Sequence, residues 1–307
     1  MSLPFVGIAT FTKVPLDDPA AHPAPHAAVL GIPTDEGATQ HTGARYGPRA
    51  IRDASMQFPF YKRGRGYYDP ERDRPMLSGL ELRDAGDVEI VPTARAENAA
   101  RIADAVAGLR SRGVFPVCLG GDHSVTPAIL AAFADTPVHL IQIDAHLDYV
   151  DRLGGVPHTH ASPMRRAREL SHVRSLTQIG IRSIVSGVED YAAARSAGNR
   201  IVTTGQVLEA PERDWWDGLA GDAYLTLDID AFDPAAAPGT GFAEPGGLGF
   251  RDVARLIRGL ARRVRLRGMD LVEVNPYLDP SRRTALLAAR TVLEVLSAVF
   301  DPPVVPA

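Results

Sequence analysis

Short aliphatic or β-branched runs recur along the chain and alternate with amphipathic stretches rich in alanine, leucine and arginine. AAVLGIP, GVFPVCLGG, VHLIQID, RSLTQIGIR, RIVTTGQ, AYLTLDID and RGMDLVEVNP are short β-branched or aliphatic runs that read as strands. Between them, TPAILAAFA, VEDYAAARSAG, FRDVARLIRGLARRV and TALLAARTVLEVLSAVF read as helices. The alternation predicts an α/β fold, a parallel sheet with helices on both faces. In such sheets ligands bind beyond the carboxyl ends of the strands, so chemistry is expected just after each apolar run. The proline-rich VPLDDPAAHPAPH makes residues 1–26 an arm leading into the first strand, with His22 and His26 in solvent. No internal repeat or long linker divides the remainder, and residues 1–307 are expected to form one domain.

Composition narrows the partners. With 307 residues, 45% of them hydrophobic, the chain can bury a large core. A formal net charge of −4 gives no general support for nucleic acid or an anionic membrane as partner, which leaves a small molecule. No apolar run of about 18 residues or basic-plus-apolar leader is visible, and the single cysteine, Cys118, cannot form an internal disulfide. A cytoplasmic location is expected. Cys118 itself lies in an apolar run and reads as core.

Three strand ends carry the candidate chemistry. LIQIDAHLD places Asp144, His146 and Asp148 at alternate positions, which would face one way if the strand continued. LTLDIDAFDP puts Asp228 and Asp230 two apart, before a turn at Asp233-Pro234. VCLGGDHS sets Asp122 and His123 after a glycine pair, with Thr126-Pro127 expected to cap the next helix. Four aspartates brought together would repel unless protonated or neutralised by cations. Aspartate oxygens and imidazole nitrogens suit two divalent ions, Mn²⁺ first, with Ni²⁺, Co²⁺ or Zn²⁺ compatible. Such a pair acidifies a shared water into a nucleophile.

GGDHS, DAHLD and DIDAFDP together resemble the signatures of the arginase and agmatinase ureohydrolases. The resemblance runs from GIPTDEGATQHTGARYGPRAIR through DAGDV to DLVEVNPYLDP, nearly the whole chain. It implies a three-layer αβα sandwich around an eight-stranded, mainly parallel sheet, and usually a dinuclear manganese centre. By the same resemblance, one ion is held by His123, Asp144, Asp148 and Asp228 and the other by Asp144, His146, Asp228 and Asp230. Glu273 in VEVNP corresponds to a carboxylate that receives the substrate guanidinium. His160, in HTHASPMRR, matches a histidine that shuttles a proton or orients substrate; His158 is its neighbour and competitor, and alanine replaces the usual following glycine. Homotrimers or homohexamers are common in the family.

The reaction implied is attack of activated water on a guanidinium carbon, giving a tetrahedral intermediate that collapses to urea and an amine. Asp148 or Asp230 accepts the proton and His160 assists the leaving amine. The substrate tail is less constrained. Arginases carry an asparagine where this chain has Val150, which disfavours arginine. The agmatinase-like EPGG is present in GTGFAEPGGL, but Phe242 and Ala243 replace the more usual Thr-Pro beside the pocket. Agmatine and guanidino acids such as 4-guanidinobutanoate are candidates, with Asp151 as a partner for an amine tail; smaller or alkylated guanidines are the alternative. A metal-binding partner subunit without turnover is a different class of reading. A deacetylase-like amide hydrolase is disfavoured because it would lack the paired D-x-H-x-D and D-x-D arrangement. His139 and His172 are expected to be structural.

Overall fold

The computed structural model describes residues 3, 5–20, 22–59 and 66–301. In chain order the strands and helices are β1 (Ala27–Ile32), α1 (Gly47–Ser55), β2 (Tyr67–Asp69), β3 (Arg74–Met76), β4 (Leu82–Asp87), α2 (Arg95–Ser111), β5 (Phe115–Gly120), α3 (Thr126–Ala131), β6 (Val138–Ile143), α4 (Pro163–Arg168), β7 (Val173–Ile181), α5 (Val188–Ser196), β8 (Arg200–Thr203), α6 (Thr204–Glu209), β9 (Asp222–Asp228), α7 (Phe250–Ala261), β10 (Arg265–Val272) and α8 (Arg283–Phe300). Eight strands form one parallel sheet in the order β4-β1-β5-β10-β9-β6-β7-β8, and β2 and β3 form a separate antiparallel pair.

Side-chain alternation divides the core in two. Val29, Val117, Ile141 and Leu225 face the apolar sides of α1, α6, α7 and α8. Leu30, Cys118, Leu140 and Tyr224, from the same strands, pack with α2, α3, α4 and α5. The continuous strand runs exist because both faces are covered. This is the predicted αβα sandwich. Among the described residues, no helix is long and apolar enough to cross a membrane.

Three expectations are corrected. The N-terminal arm does not merely lead into β1: Phe11 and Thr12 are fully buried, and the Phe11 amide donates to Asp84 Oδ2 at 2.7 Å. Proline spacing signals an irregular backbone but does not show that one aromatic in it finds a core. Residues 1, 2, 4 and 21 of the arm lie outside the described residues. RIVTTGQ is not one strand, because it stops at Thr203, whose hydroxyl caps α6 by accepting from the Gln206 amide. At the start of α3 the cap is likewise displaced. Asp122 caps a short 3-10 turn, His123–Val125, by accepting from Ser124, and Thr126 turns its hydroxyl inward to Asp270.

Candidate metal centre

The four middle strands β5, β10, β9 and β6 end side by side, so their following residues meet above one stretch of sheet edge. After β5, Gly121 has no room for a side chain: a Cβ there would lie 1.7 Å from the Thr34 carbonyl oxygen. That close approach turns the backbone and delivers His123. After β6 the extended conformation ends at Ile143, contrary to the alternation expected through Asp148. Asp144 bends the chain by accepting from the His146 amide at 2.6 Å, and Asp148 has a left-handed backbone, φ +50°. The three ligand-type groups converge through this turn. Asp228 closes β9 and accepts from the Asp230 amide at 2.9 Å. Glu273 follows β10 with φ +65° and accepts the His123 amide on Oε1 at 2.8 Å.

The atoms crowd as a cation site would require. His123 Nδ1 lies 2.8 Å from Asp148 Oδ2, 3.2 Å from Asp144 Oδ2 and 3.4 Å from Asp228 Oδ2, yet it makes no directed hydrogen bond. His146 Nδ1 is 2.9 Å from Asp230 Oδ2 and 3.7 Å from Asp144 Oδ1, while its buried Nε2 has no hydrogen-bond partner. Ligand atoms of His123, Asp144 and Asp148 form one group within metal-binding reach, and those of Asp144, His146 and Asp230 form another. Asp144 belongs to both. An unpartnered buried nitrogen among crowded carboxylates, as at His123 Nδ1, is otherwise unfavourable, and a pair of divalent ions removes the penalty.

Electrostatics points the same way. Burial opposes a charge on Asp144, but the adjacent imidazoles of His123 and His146 overcome it and hold the carboxyl below the ordinary range. Burial and the Asp144 charge raise Asp148 to about 6. Burial, with Asp230 and Asp144 nearby, pushes Asp228 up, and Asp230 rises through burial and Asp144. Burial disfavours the imidazolium of His146, yet Asp230 and Asp144 push it up to about 12. His123 is likewise held well above its usual value against burial by Asp144, Asp148 and Asp228. Protons thus supply the positive charge that the carboxylates require, and cations binding here would displace them.

Beneath the site, register builds a polar row across the sheet. Cys118 pairs with Asp270, Asp270 with Thr226, Thr226 with Gln142 and Gln142 with Gln178. The buried Asp270 accepts from Thr226 at 2.5 Å, Tyr224 at 3.0 Å and Thr126 at 3.1 Å. With its own proton directed to Asp270, Thr226 Oγ1 must accept from His123 Nε2, 2.8 Å away. This fixes the imidazole with Nδ1 toward the carboxylates. On the other side, Gln178 donates to Gln142 Oε1 and Gln142 donates to Asp144 Oδ2, each at 2.6 Å. Burial raises the Cys118 thiol, and its place in this core agrees with a structural role.

A cavity of about 180 Å³ opens above these groups. Asp148, Asp228, Asp230, His146 and Glu273 lie at its inner end; Thr39, His160 and Phe242 flank it, and Val150, Leu153, Ala161 and Val185 line it further. His160 Nδ1 is 3.3 Å from Glu273 Oε1 and Nε2 is 2.7 Å from Thr39 Oγ1. Burial lowers its proton affinity, but the Glu273 hydrogen bond more than compensates. The Phe242 ring centroid lies 5.4 Å from that of His160 and 6.0 Å from that of His146. His158 instead lines a separate groove with α2 and α3. Asp151 does not join the cavity: its exposed carboxylate pairs with Arg166 at 2.6 Å and Arg165 at 3.4 Å. Sequence proximity placed it near the pocket, and those arginines draw it away. His139 bonds Ser175 and His172 bonds the Leu130 carbonyl, both structural contacts.

Sequence reasoning missed Gln142, Gln178, Thr226, Asp270 and Thr39. For Gln142 and Thr226 a signal existed: each is polar, sits in an apolar strand and precedes a ligand candidate by two residues. Gln178 and Asp270 become visible only through cross-strand register.

Residues 25–297 match the model of the arginase family. The chain is 36% identical to the guanidinopropionase of Pseudomonas aeruginosa, over 97% of this chain and 93% of that protein. It is 35% identical to the agmatinase of Bacillus subtilis, over 88% of this chain and 90% of the relative. Among solved structures, proclavaminate amidino hydrolase from Streptomyces clavuligerus superposes with a TM-score of 0.84 at 31% identity, covering 97% of this chain and 99% of that one. With its sheet order, its converging aspartates and histidines and these matches together, the chain belongs to the arginase family.

Proposed function

We propose that this protein is a binuclear-metal hydrolase that cleaves a guanidino compound to urea and an amine. The observation that carries the reading is the convergence of the unpartnered His123 Nδ1 and of His146 Nδ1 with four buried aspartates beside Glu273, at the inner end of a small cavity. One ion would be held by His123, Asp144, Asp148 and Asp228, and the other by Asp144, His146, Asp228 and Asp230. Mn²⁺ is the metal proposed, with Ni²⁺, Co²⁺ and Zn²⁺ compatible with the same donors. When bound, such ions neutralise the aspartates and acidify a water for attack.

The chain's own groups supply the remainder. Glu273 is a planar acceptor for the guanidinium, held in place by the His123 amide. Asp148 or Asp230 would accept the proton from the attacking water. His160, fixed between Thr39 and Glu273, delivers a proton to the departing nitrogen as the tetrahedral carbon collapses. The guanidino relatives named above support this choice of reaction. The reading extends to a cytoplasmic homotrimer or homohexamer, which light scattering would check. The chemistry is tested by urea release from a panel of guanidino compounds after separate loading with Mn²⁺, Ni²⁺ and Zn²⁺, with bound metal quantified. Urea formation that stops on chelation is expected. Stoichiometric metal without urea from any guanidine would replace this reading with a metal-binding subunit.

A further inference from the structure

We propose that the preferred substrate is a guanidine bearing a short uncharged alkyl group, so that the tail is selected by apolar contact; this rests on the ureohydrolase reading above. Beyond the groups assigned to metal and guanidinium, the cavity meets Val150, Leu153, Ala161, Val185 and Phe242. Ser186 adds only a hydroxyl. No lysine or arginine lines the cavity among the described residues, and no carboxylate does apart from Asp148, Asp228, Asp230 and Glu273.

Most nearby charges are committed elsewhere, and Glu244, with Oε2 3.9 Å from His146 Nε2, lies outside the cavity lining. Asp151 is paired with Arg165 and Arg166. Arg182 donates to the backbone carbonyls of Asp230, Glu244 and Pro245, where it secures the loop beneath the site. His160 has a partner on each ring nitrogen. A carboxylate tail would therefore lose water against this wall without gaining an opposite charge, and an ammonium tail would meet no carboxylate in the apolar part of the lining. A methylene or methyl group would be covered by Phe242 and Val185. The volume, about 180 Å³, fits a small substrate better than a long one.

The balanced reaction consumes one water: the bond between the guanidinium carbon and the alkyl-bearing nitrogen breaks, urea forms, and the alkylamine leaves as its ammonium. Each added methylene that the wall covers is expected to raise kcat/KM about fourfold until the cavity is full.

The test compares methyl-, propyl- and n-butylguanidine with agmatine and 4-guanidinobutanoate, using metal-loaded protein and urea detection. Butylguanidine shares its four-carbon chain with agmatine, and 4-guanidinobutanoate also presents four carbons. The neutral compound is expected to exceed both charged ones by tenfold or more in kcat/KM. Phe242→Ala should reduce turnover of propylguanidine more than that of methylguanidine. Val185→Arg, at a largely exposed position, should shift the preference between 4-guanidinobutanoate and butylguanidine about tenfold toward the acid. Urea release in which either charged substrate equals or exceeds butylguanidine would overturn the tail assignment and leave the ureohydrolase reading intact. No urea from any compound, with metal demonstrably bound, would overturn both.

Discussion

At the inner end of the cavity, polar groups come from four adjacent strand ends and hold one another through hydrogen bonds set by sheet register. At its mouth, Val150, Leu153 and Val185 come from irregular connections, and Leu153 and Val185 are substantially exposed. The inner region is constrained twice, since each ligand candidate is fixed by its backbone and again by a buried partner. The mouth is constrained only by the course of its loops. A change below therefore disturbs chemistry that many residues share, whereas a change above alters the substrate while leaving the sheet untouched.

The comparison breaks most completely at Asp144, which belongs to both candidate metal groups. Asp144→Ala is expected to abolish urea release and to remove stoichiometric metal, measured by elemental analysis of the purified protein. Normal turnover by this variant would dismantle the shared-ligand arrangement. The next largest effect is expected one layer deeper. Thr226→Val leaves His123 Nε2–H without its acceptor and should weaken metal binding roughly 10- to 100-fold, while Thr226→Ser restores it. Titration calorimetry with Mn²⁺ measures this without recourse to turnover.

Acid sharpens the comparison by acting on the inner region alone. Metal must displace protons that the crowded aspartates hold on His123 and His146, so apparent affinity rises with pH through neutrality. Below about 6 Asp148 is protonated too, so the dependence steepens by a further factor of about ten per pH unit. Calorimetry in buffers of different ionisation enthalpy would count the protons released, and a pH-independent count across that value would contradict the assignment to Asp148. The smallest effect is expected at the mouth. Leu153→Ser should change folding stability by no more than about 0.5 kcal/mol in chemical denaturation, because its side chain is already partly in water.

The same division governs how much the sequence disclosed. Aspartates and histidines at the ends of apolar runs are conspicuous because a buried strand has no other use for them, so all six proposed metal ligands were legible one by one. The route by which they meet was not. Strand alternation suggested a shared face for Asp144, His146 and Asp148, whereas the chain turns through a bend that Asp144 itself stabilises. Asp270 and Gln178 gain their meaning from neighbours in other strands, and single-sequence periodicity cannot supply which strands adjoin. Phe11 was unreadable for a related reason: its burial depends on a gap left by remote elements. Asp151 was misplaced because the attraction of Arg165 and Arg166 acts in space, across a loop whose course was unknown.

Strand β10 is the last of the described strands, yet it occupies the interior of the sheet, hydrogen-bonded to β5 on one flank and β9 on the other. During synthesis on the ribosome, those two flanks have no native partner between them until residues 265–272 emerge. A nascent fragment ending just before β10 presents two raw strand borders and lacks Asp270, which holds Thr226, and Glu273, which accepts the His123 amide, a condition that invites sticking to other chains. Bracing of His123 is thereby postponed until residues 265–273 have been made, and the fold couples the finished geometry of the centre to the arrival of this one strand.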